Sequence, residues 1–211
     1  MKSNLVAMLA ASLCFWSCDA WAGKGSDLRP VKLKVGQPTF EETFSGPLGE
    51  TWKIVKGDWT VTDGVLAGRE KKSDEHAAVL SCQLPNRDSA IAFSFRLNGA
   101  ETFNLSFNKA GGHLFRVAVN PTGVSINKDK DKKDPESKVI VLGKAKADIK
   151  QDQWYTMLVE VKGPEVVVQL DDGTTVKGSH AELDVDKPNY RFVMRGETLQ
   201  IDDVKVFQLQ R

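Results

Sequence analysis

The chain has 211 residues, 41% of them hydrophobic, and sets 29 Lys and Arg against 28 Asp and Glu for a formal charge of +1. So even a balance provides no electrostatic footprint for nucleic acid or for an anionic membrane surface. Only one of the 3 cysteines, Cys82, lies beyond residue 22, which excludes an internal disulfide in an exported product.

In chain order, residues 1–22 read as an export signal. Lys2 supplies the positive start, residues 5–16 are uncharged and apolar, and Ala20-Trp21-Ala22 places small residues where a signal peptidase reads them. The apolar run is well short of the roughly 20 residues that span a bilayer. Neither Cys14 nor Cys18 has the Leu three positions earlier that lipid attachment favours. The expectation is a secreted or periplasmic protein, soluble after cleavage near Ala22, with no membrane span. Residues 23–29 are polar and form a flexible tether. Residues 30–211 form one domain, long enough to bury roughly 70% of its unfolded surface.

Within that domain, β-rich runs follow at 31–35, 39–44, 52–55, 59–62, 65–67, 77–81, 90–97, 102–108, 114–120 and 123–127. Further runs occupy 138–142, 154–162, 165–170, 174–177, 190–195 and 199–207. Asp63-Gly64 and Asp172-Gly173 are hairpin turns, because glycine tolerates the positive φ that primed turns need. No apolar 3.6-residue period lasts three turns, so helix is confined to single turns. Strands at this spacing predict an all-β sandwich or barrel. Cys82 ends an apolar run and reads as a small buried hydrophobe. The charged stretch 127–137 has almost nothing apolar and reads as a solvated hairpin tip.

Side chains alternate across a strand, so the middle runs can be sorted by face. Ile91, Phe93, Phe95 and Leu97 oppose Ala92, Ser94 and Arg96. Phe103, Leu105 and Phe107 oppose Thr102, Asn104, Ser106 and Asn108. Phe115, Val117 and Val119 oppose Arg116, Ala118 and Asn120, and Val124 and Ile126 continue the apolar set. The apolar set predicts the core. The other set is plain solvated surface or a shallow trough, and its Asn, Ser and Arg suit hydrogen bonding to hydroxyls. The candidate ligand-binding residues are therefore Arg96, Asn104, Asn108, His113 and Arg116, with Arg69, Glu70 and His76 at the rim.

The opening of the domain, from Phe44-Ser-Gly-Pro-Leu48 through Trp52 to Gly57-Asp-Trp59-Thr-Val-Thr-Asp63-Gly-Val-Leu66-Ala-Gly68, resembles that of 3-keto-disaccharide hydrolase-type domains. Trp154-Tyr-Thr, residues 166–170 with their Asp-Asp-Gly turn, and the last strand Ile201-Asp-Asp-Val-Lys-Val206 fit the same plan. Such domains are relatives of family 16 glycoside hydrolases, common in secreted bacterial proteins. The resemblance implies a two-sheet jelly-roll sandwich of the concanavalin A-like lectin and glucanase type. Where those enzymes carry an Asn-Ser-Gly strand, an Arg and a Gly-Tyr-Glu strand, this chain has residues 102–108 and Gly111-Gly-His113-Leu-Phe-Arg116, in the manner of a small divergent member.

No catalytic residue is assigned. Glu182-Leu-Asp184-Val-Asp186 imitates the acid motif of laminarinase-type enzymes but ends in Asp just before Pro188, and is read as a chance match. His76, His113 and His180 form no short-spaced pair for zinc, so no metal or cofactor is expected. A structural Ca²⁺ shared by Glu41-Glu42 and Asp202-Asp203 is weighed against ordinary surface acids. Trp52, Trp59, Trp154, Tyr155 and Tyr190 are read as core anchors ahead of sugar platforms. The expected function is binding of a carbohydrate or glycan-like ligand on the polar face. The alternatives are a glycoside-cleaving enzyme of the keto-disaccharide type and a structural or partner-binding envelope protein.

Overall fold

The computed structural model describes residues 28–208, so the expected export signal at 1–22 lies outside the described residues. Strands β1 (Phe40–Glu42), β2 (Trp52–Lys56), β3 (Asp58–Thr62), β4 (Val65–Arg69), β5 (Ala78–Cys82), β6 (Ser89–Lys109) and β7 (Gly112–Asn120) come first. They are followed by β8 (Gly123–Lys128), β9 (Ile140–Lys146), β10 (Trp154–Lys162), β11 (Glu165–Leu170), β12 (Thr175–Ser179) and β13 (Tyr190–Gln208). Among the described residues helix is limited to single 3-10 turns at Lys72–Asp74 and Ala181–Leu183. Asp63 and Gly64 both have positive φ, the primed turn expected between β3 and β4.

All 13 strands belong to one antiparallel ladder, and the two longest strands fold it into two layers. Residues 89–96 of β6 pair with β10 and residues 89–97 with residues 199–208 of β13, while residues 103–109 pair with β7 and residues 103–107 with residues 190–194 of β13. The back sheet therefore runs β12-β11-β10-β6-β13, with β4-β3 and β1 attached along β13. The front sheet runs β9-β8-β7-β6-β13-β5-β2. Both long strands bend at adjacent glycines, Gly99 and Gly196, with φ of +77° and +100°. A Cβ on Gly196 would stand 2.6 Å from Glu101 N and Gly99 O, so backbone shape and close approach both require glycine there. The runs 90–97 and 102–108, expected as separate strands, are thus one bent strand, as are 190–195 and 199–207.

The core fills the space between the layers. Phe93, Phe95, Phe103, Leu105, Phe107, Phe115, Val117, Val119, Val124 and Ile126 are all buried, as the alternation predicts. Phe93, Phe95, Phe103 and Phe192 form one ring cluster with centroids 5.3–6.3 Å apart, and Phe107 stacks on Phe115 at 4.4 Å. Trp52, Trp59, Tyr155 and Tyr190 are buried anchors. Cys82 is buried as expected, and burial, aided by the charge of Glu42, pushes its thiol up to about 12.

Run 31–35 is not a strand. The N–H groups of Val31, Lys32 and Leu33 donate to the buried carboxylate of Glu160, the first two at 2.9 and 2.7 Å. Leu33 packs with Ala90, Ala92, Leu158 and Phe207 on the outer surface of the back sheet. The backbone donors that a ladder would have satisfied are met by one side chain instead.

Candidate functional site

The outer surface of the front sheet carries a cleft of about 420 Å³, within the ~300–1,000 Å³ usual for small-ligand sites. Alternation builds its floor. Thr102, Asn104 and Ser106 of β6 point out between buried Phe103, Leu105 and Phe107, and Arg191, Val193 and Arg195 of β13 point out between buried Tyr190, Phe192 and Met194. Register lines them up: Arg116 of β7 lies opposite Ser106, which lies opposite Arg191, and in the next row Ala118, Asn104, Val193 and Val79 follow across four strands. Val55 and Lys56 of the edge strand β2, with His76 and Ala77 before β5, form one wall, and His113 stands at the other.

Among the described residues the lining holds Lys56, Arg116, Arg191 and Arg195 and no carboxylate. Two of these cations are compensated from outside the lining. Arg116 donates through Nη2 to Oδ1 of Asp129, whose side chain is only 5% exposed. Arg195 Nη1 lies 3.2 Å from Glu70 Oε1, while Glu70 Oε2 accepts from Gly196 N at 2.8 Å, which ties the bend of β13 to the end of the cleft. Arg191 has no acidic partner among the described residues, and its Nε is buried without a hydrogen-bond acceptor.

His113 is held through Nδ1, 3.1 Å from Asn108 Oδ1. Asn108 in turn donates from Nδ2 to Asn189 Oδ1 at 2.9 Å, so its oxygen is the atom that faces the imidazole. That acceptor places the ring hydrogen on Nδ1 and leaves the Nε2 lone pair available. Desolvation lowers the pKa of His113 below the ordinary histidine value, and the positive charges of Arg116, Lys132 and Arg191 lower it further against the opposing pull of Asp129. The ring is therefore neutral at neutral pH.

Of the residues singled out from sequence, Asn104, His113, Arg116 and His76 come together in this cleft. Asn108 is buried beneath it, because the register slips between Phe107 and Asn108, and it orients His113 in place of lining the floor. Glu70 braces Arg195 from behind, and Arg69 lies exposed at the end of β4, outside the lining. Arg96 is elsewhere. It stands in the half of β6 that belongs to the back sheet, over the Trp154 ring at 5.1 Å, with Nε donating to Gln200 Oε1 at 2.6 Å. The inward residues of β6 are odd-numbered on both sides of the bend at Gly99, where Ala100 also turns into the core, so Arg96 and Asn104 both face outward, but from opposite layers of the sandwich.

Sequence reasoning missed Arg191, Arg195, Lys56 and Asp129. The same alternation applied to run 190–195 would have found the two arginines. Asp129 was hidden in the charge run 127–137, whose start is not solvated as expected: Lys128 is buried and ion-paired to Glu182 at 3.1 Å, and Asp129 is buried against Arg116. Glu182, Asp184 and Asp186 lie outside the cleft lining, with Asp184 bound to Arg87 at 2.9 Å. At the weighed Ca²⁺ site, Glu42 gives its two oxygens to Phe44 N and Trp52 Nε1, at 2.8 and 3.3 Å. Among the described residues no group of three or more His, Cys, Asp or Glu gathers as metal ligands.

Residues 39–206 match a family model described as 3-keto-alpha-glucoside-1,2-lyase-like domain. No curated protein matches the chain in sequence. Among solved structures, the carbohydrate binding module CBM66 from Bacillus subtilis is 16% identical with a TM-score of 0.60, over 75% of this chain and 96% of that one. The laminarinase from Rhodothermus marinus is 12% identical with a TM-score of 0.62, over 82% and 98%. A Bacillus subtilis protein with a galectin-like fold is 11% identical with a TM-score of 0.61, over 84% and 99%. At such identities the likeness is one of fold, and the fold is the two-sheet jelly-roll sandwich expected from sequence.

Proposed function

The chain belongs to the family of 3-keto-alpha-glucoside-1,2-lyase-like domains, and on that premise we propose that its front-sheet cleft binds a carbohydrate. The observation that carries the proposal is the floor itself. Asn104, Ser106, Thr102, Arg116 and Arg191 converge on one cavity of about 420 Å³ and present directional donors and acceptors to a ligand rich in hydroxyls. The shared sandwich with a carbohydrate-binding module and a laminarinase supports the same reading. The signal-like residues 1–22 support export, which places the domain where free glycans are met. A screen against an oligosaccharide library tests the proposal. The wild type binds at least one sugar, and Asn104→Trp, which fills the floor between Ala118 and Val193, abolishes that binding with an unchanged melting temperature. Binding that survives Asn104→Trp contradicts it.

A second reading, eliminative cleavage, is favoured by His113. A 1,2-elimination from a 3-keto sugar removes the C2 proton, made acidic by the neighbouring ketone. The electron pair forms the C1–C2 double bond, and the C1 oxygen leaves with a proton. His113, neutral and with Nε2 free, has the protonation state of a general base, and Arg116 and Arg191 are placed to stabilise developing enolate charge. Turnover of 3-keto-disaccharides, lost in His113→Asn while affinity stays within about 3-fold, is the expected result. A wild type that binds these sugars and leaves them intact rules this reading out.

A further inference from the structure

Resting on the cleft as a sugar site, we infer that it selects acidic sugars, whose carboxylate or sulfate docks on Arg191. Charge is segregated into the cleft. The whole chain is balanced at 29 cations to 28 anions, yet the cleft lining holds four cationic side chains and no carboxylate. A one-signed cleft with apolar walls such as Val55, Val79 and Val193 focuses its field on whatever enters.

Arg191 differs from the other two arginines. Arg116 has Asp129 and Arg195 has Glu70, but the neighbours of Arg191 on both adjacent strands are serines, Ser106 and Ser81. Among the described residues the sheet thus brings no carboxylate to this guanidinium, and its buried Nε meets no acceptor. A planar fork held in this way matches a planar carboxylate, or two oxygens of a sulfate, through paired hydrogen bonds.

Donors and acceptors are also out of balance. Sugar hydroxyls need acceptors as well as donors, and neutral-sugar sites commonly supply carboxylates for that purpose. This lining is rich in donors, and its acceptors, the Asn104 amide oxygen, the hydroxyls of Thr102 and Ser106 and the imidazole nitrogens of His76 and His113, are all neutral. A ligand that brings acceptors of its own, an oxyanion on the ring, completes it.

The test is calorimetric titration of the full chain with a trigalacturonate, its fully methyl-esterified form, a sulfated galactan trisaccharide, its unsulfated counterpart and inorganic sulfate. At least one acidic sugar should bind about 10-fold or more tighter than its neutral counterpart, with a preference that shrinks as salt rises. The carboxylate and sulfate arms tell which oxyanion is taken. Arg191→Gln should erase the preference, Lys56→Gln should reduce it, and Arg96→Gln on the back sheet should leave it intact. Equal binding of acidic and neutral sugars by the wild type overturns the inference and leaves the sugar cleft standing. A preference that persists in Arg191→Gln overturns it also. Inorganic sulfate bound as tightly as the acidic sugars reduces the site to a general anion site and refutes its sugar selectivity. No binding of any saccharide refutes the inference together with the cleft reading on which it rests.

Discussion

Arg116 has two attachments, one to the cleft and one to Asp129, and the second decides how a substitution there behaves. Asp129 is buried, and one of its oxygens has no hydrogen-bond partner. Arg116→Ala therefore strands a buried carboxylate and should lower unfolding stability by about 1–3 kcal/mol. Adding Asp129→Asn should recover part of that loss, and urea denaturation of the single and double variants measures both. Equal stability of Arg116→Ala and wild type would mean that the pair is solvated. For this reason Asn104 and Arg191, which face the cleft without such a tether, are the better probes of binding. Phe107 illustrates the opposite kind of residue. It is fully buried, stacked on Phe115 and edge-on to Tyr190, so Phe107→Ala should cost about 3–5 kcal/mol.

Lys187 gives the protein a pH signature. It is buried, donates to Val185 O and Arg87 O at 2.8 and 3.1 Å, and desolvation brings its pKa down to about 8. Between about 8 and the ordinary lysine value of 10.5 the unfolded chain binds more protons at this site than the folded one, so the contribution of Lys187 to stability grows as pH rises. Cys82 acts oppositely above the ordinary thiol value of 9.0, since burial pushes its thiol up to about 12. The window is thus pH 8 to 9. Stability should increase across it in the wild type and stay flatter in Lys187→Met, as read by denaturant midpoints at each pH. The same buried Cys82 should resist thiol reagents until the protein unfolds.

At the scale of elements, β6 and β13 explain both what alternation reveals and what it conceals. Period-2 patterning identified the inward residues of each run, because a register slip would have inverted the whole set. It could not tell which layer a run belongs to. Across Gly196 the inward positions of β13 change from Tyr190, Phe192 and Met194 to Leu199 and Ile201, but in β6 they are odd-numbered on both sides of Gly99, so Arg96 and Asn104 look alike in sequence while facing away from opposite sheets. Only pairing partners separate them, and pairing is a long-range property. Asn108 was misplaced for a related reason, a bulge that no local signal marks. Two element-scale expectations follow from the bends and the clamp. Gly196→Val should destabilise by about 1–3 kcal/mol or more through its positive φ and the clash with Glu101 N. Glu160→Gln should speed hydrogen exchange at the amides of residues 31–33, where three donors now share one carboxylate.

At the scale of the molecule, the family and the sandwich were legible from strand spacing together with the turn and tryptophan signature of residues 44–68. The site was legible as a face and illegible as a cavity. Its walls come from β2 and the residues before β5, which are far from β7 and β13 in sequence. The proposed binding surface is the front sheet and not the back. Backbone amide NMR during titration with a bound oligosaccharide tests it most directly. Shifts concentrated at residues 102–106, 113–116 and 191–195 are the predicted result. Shifts gathered around Arg96, Trp154 and Gln200 would contradict it, because those side chains belong to the back sheet.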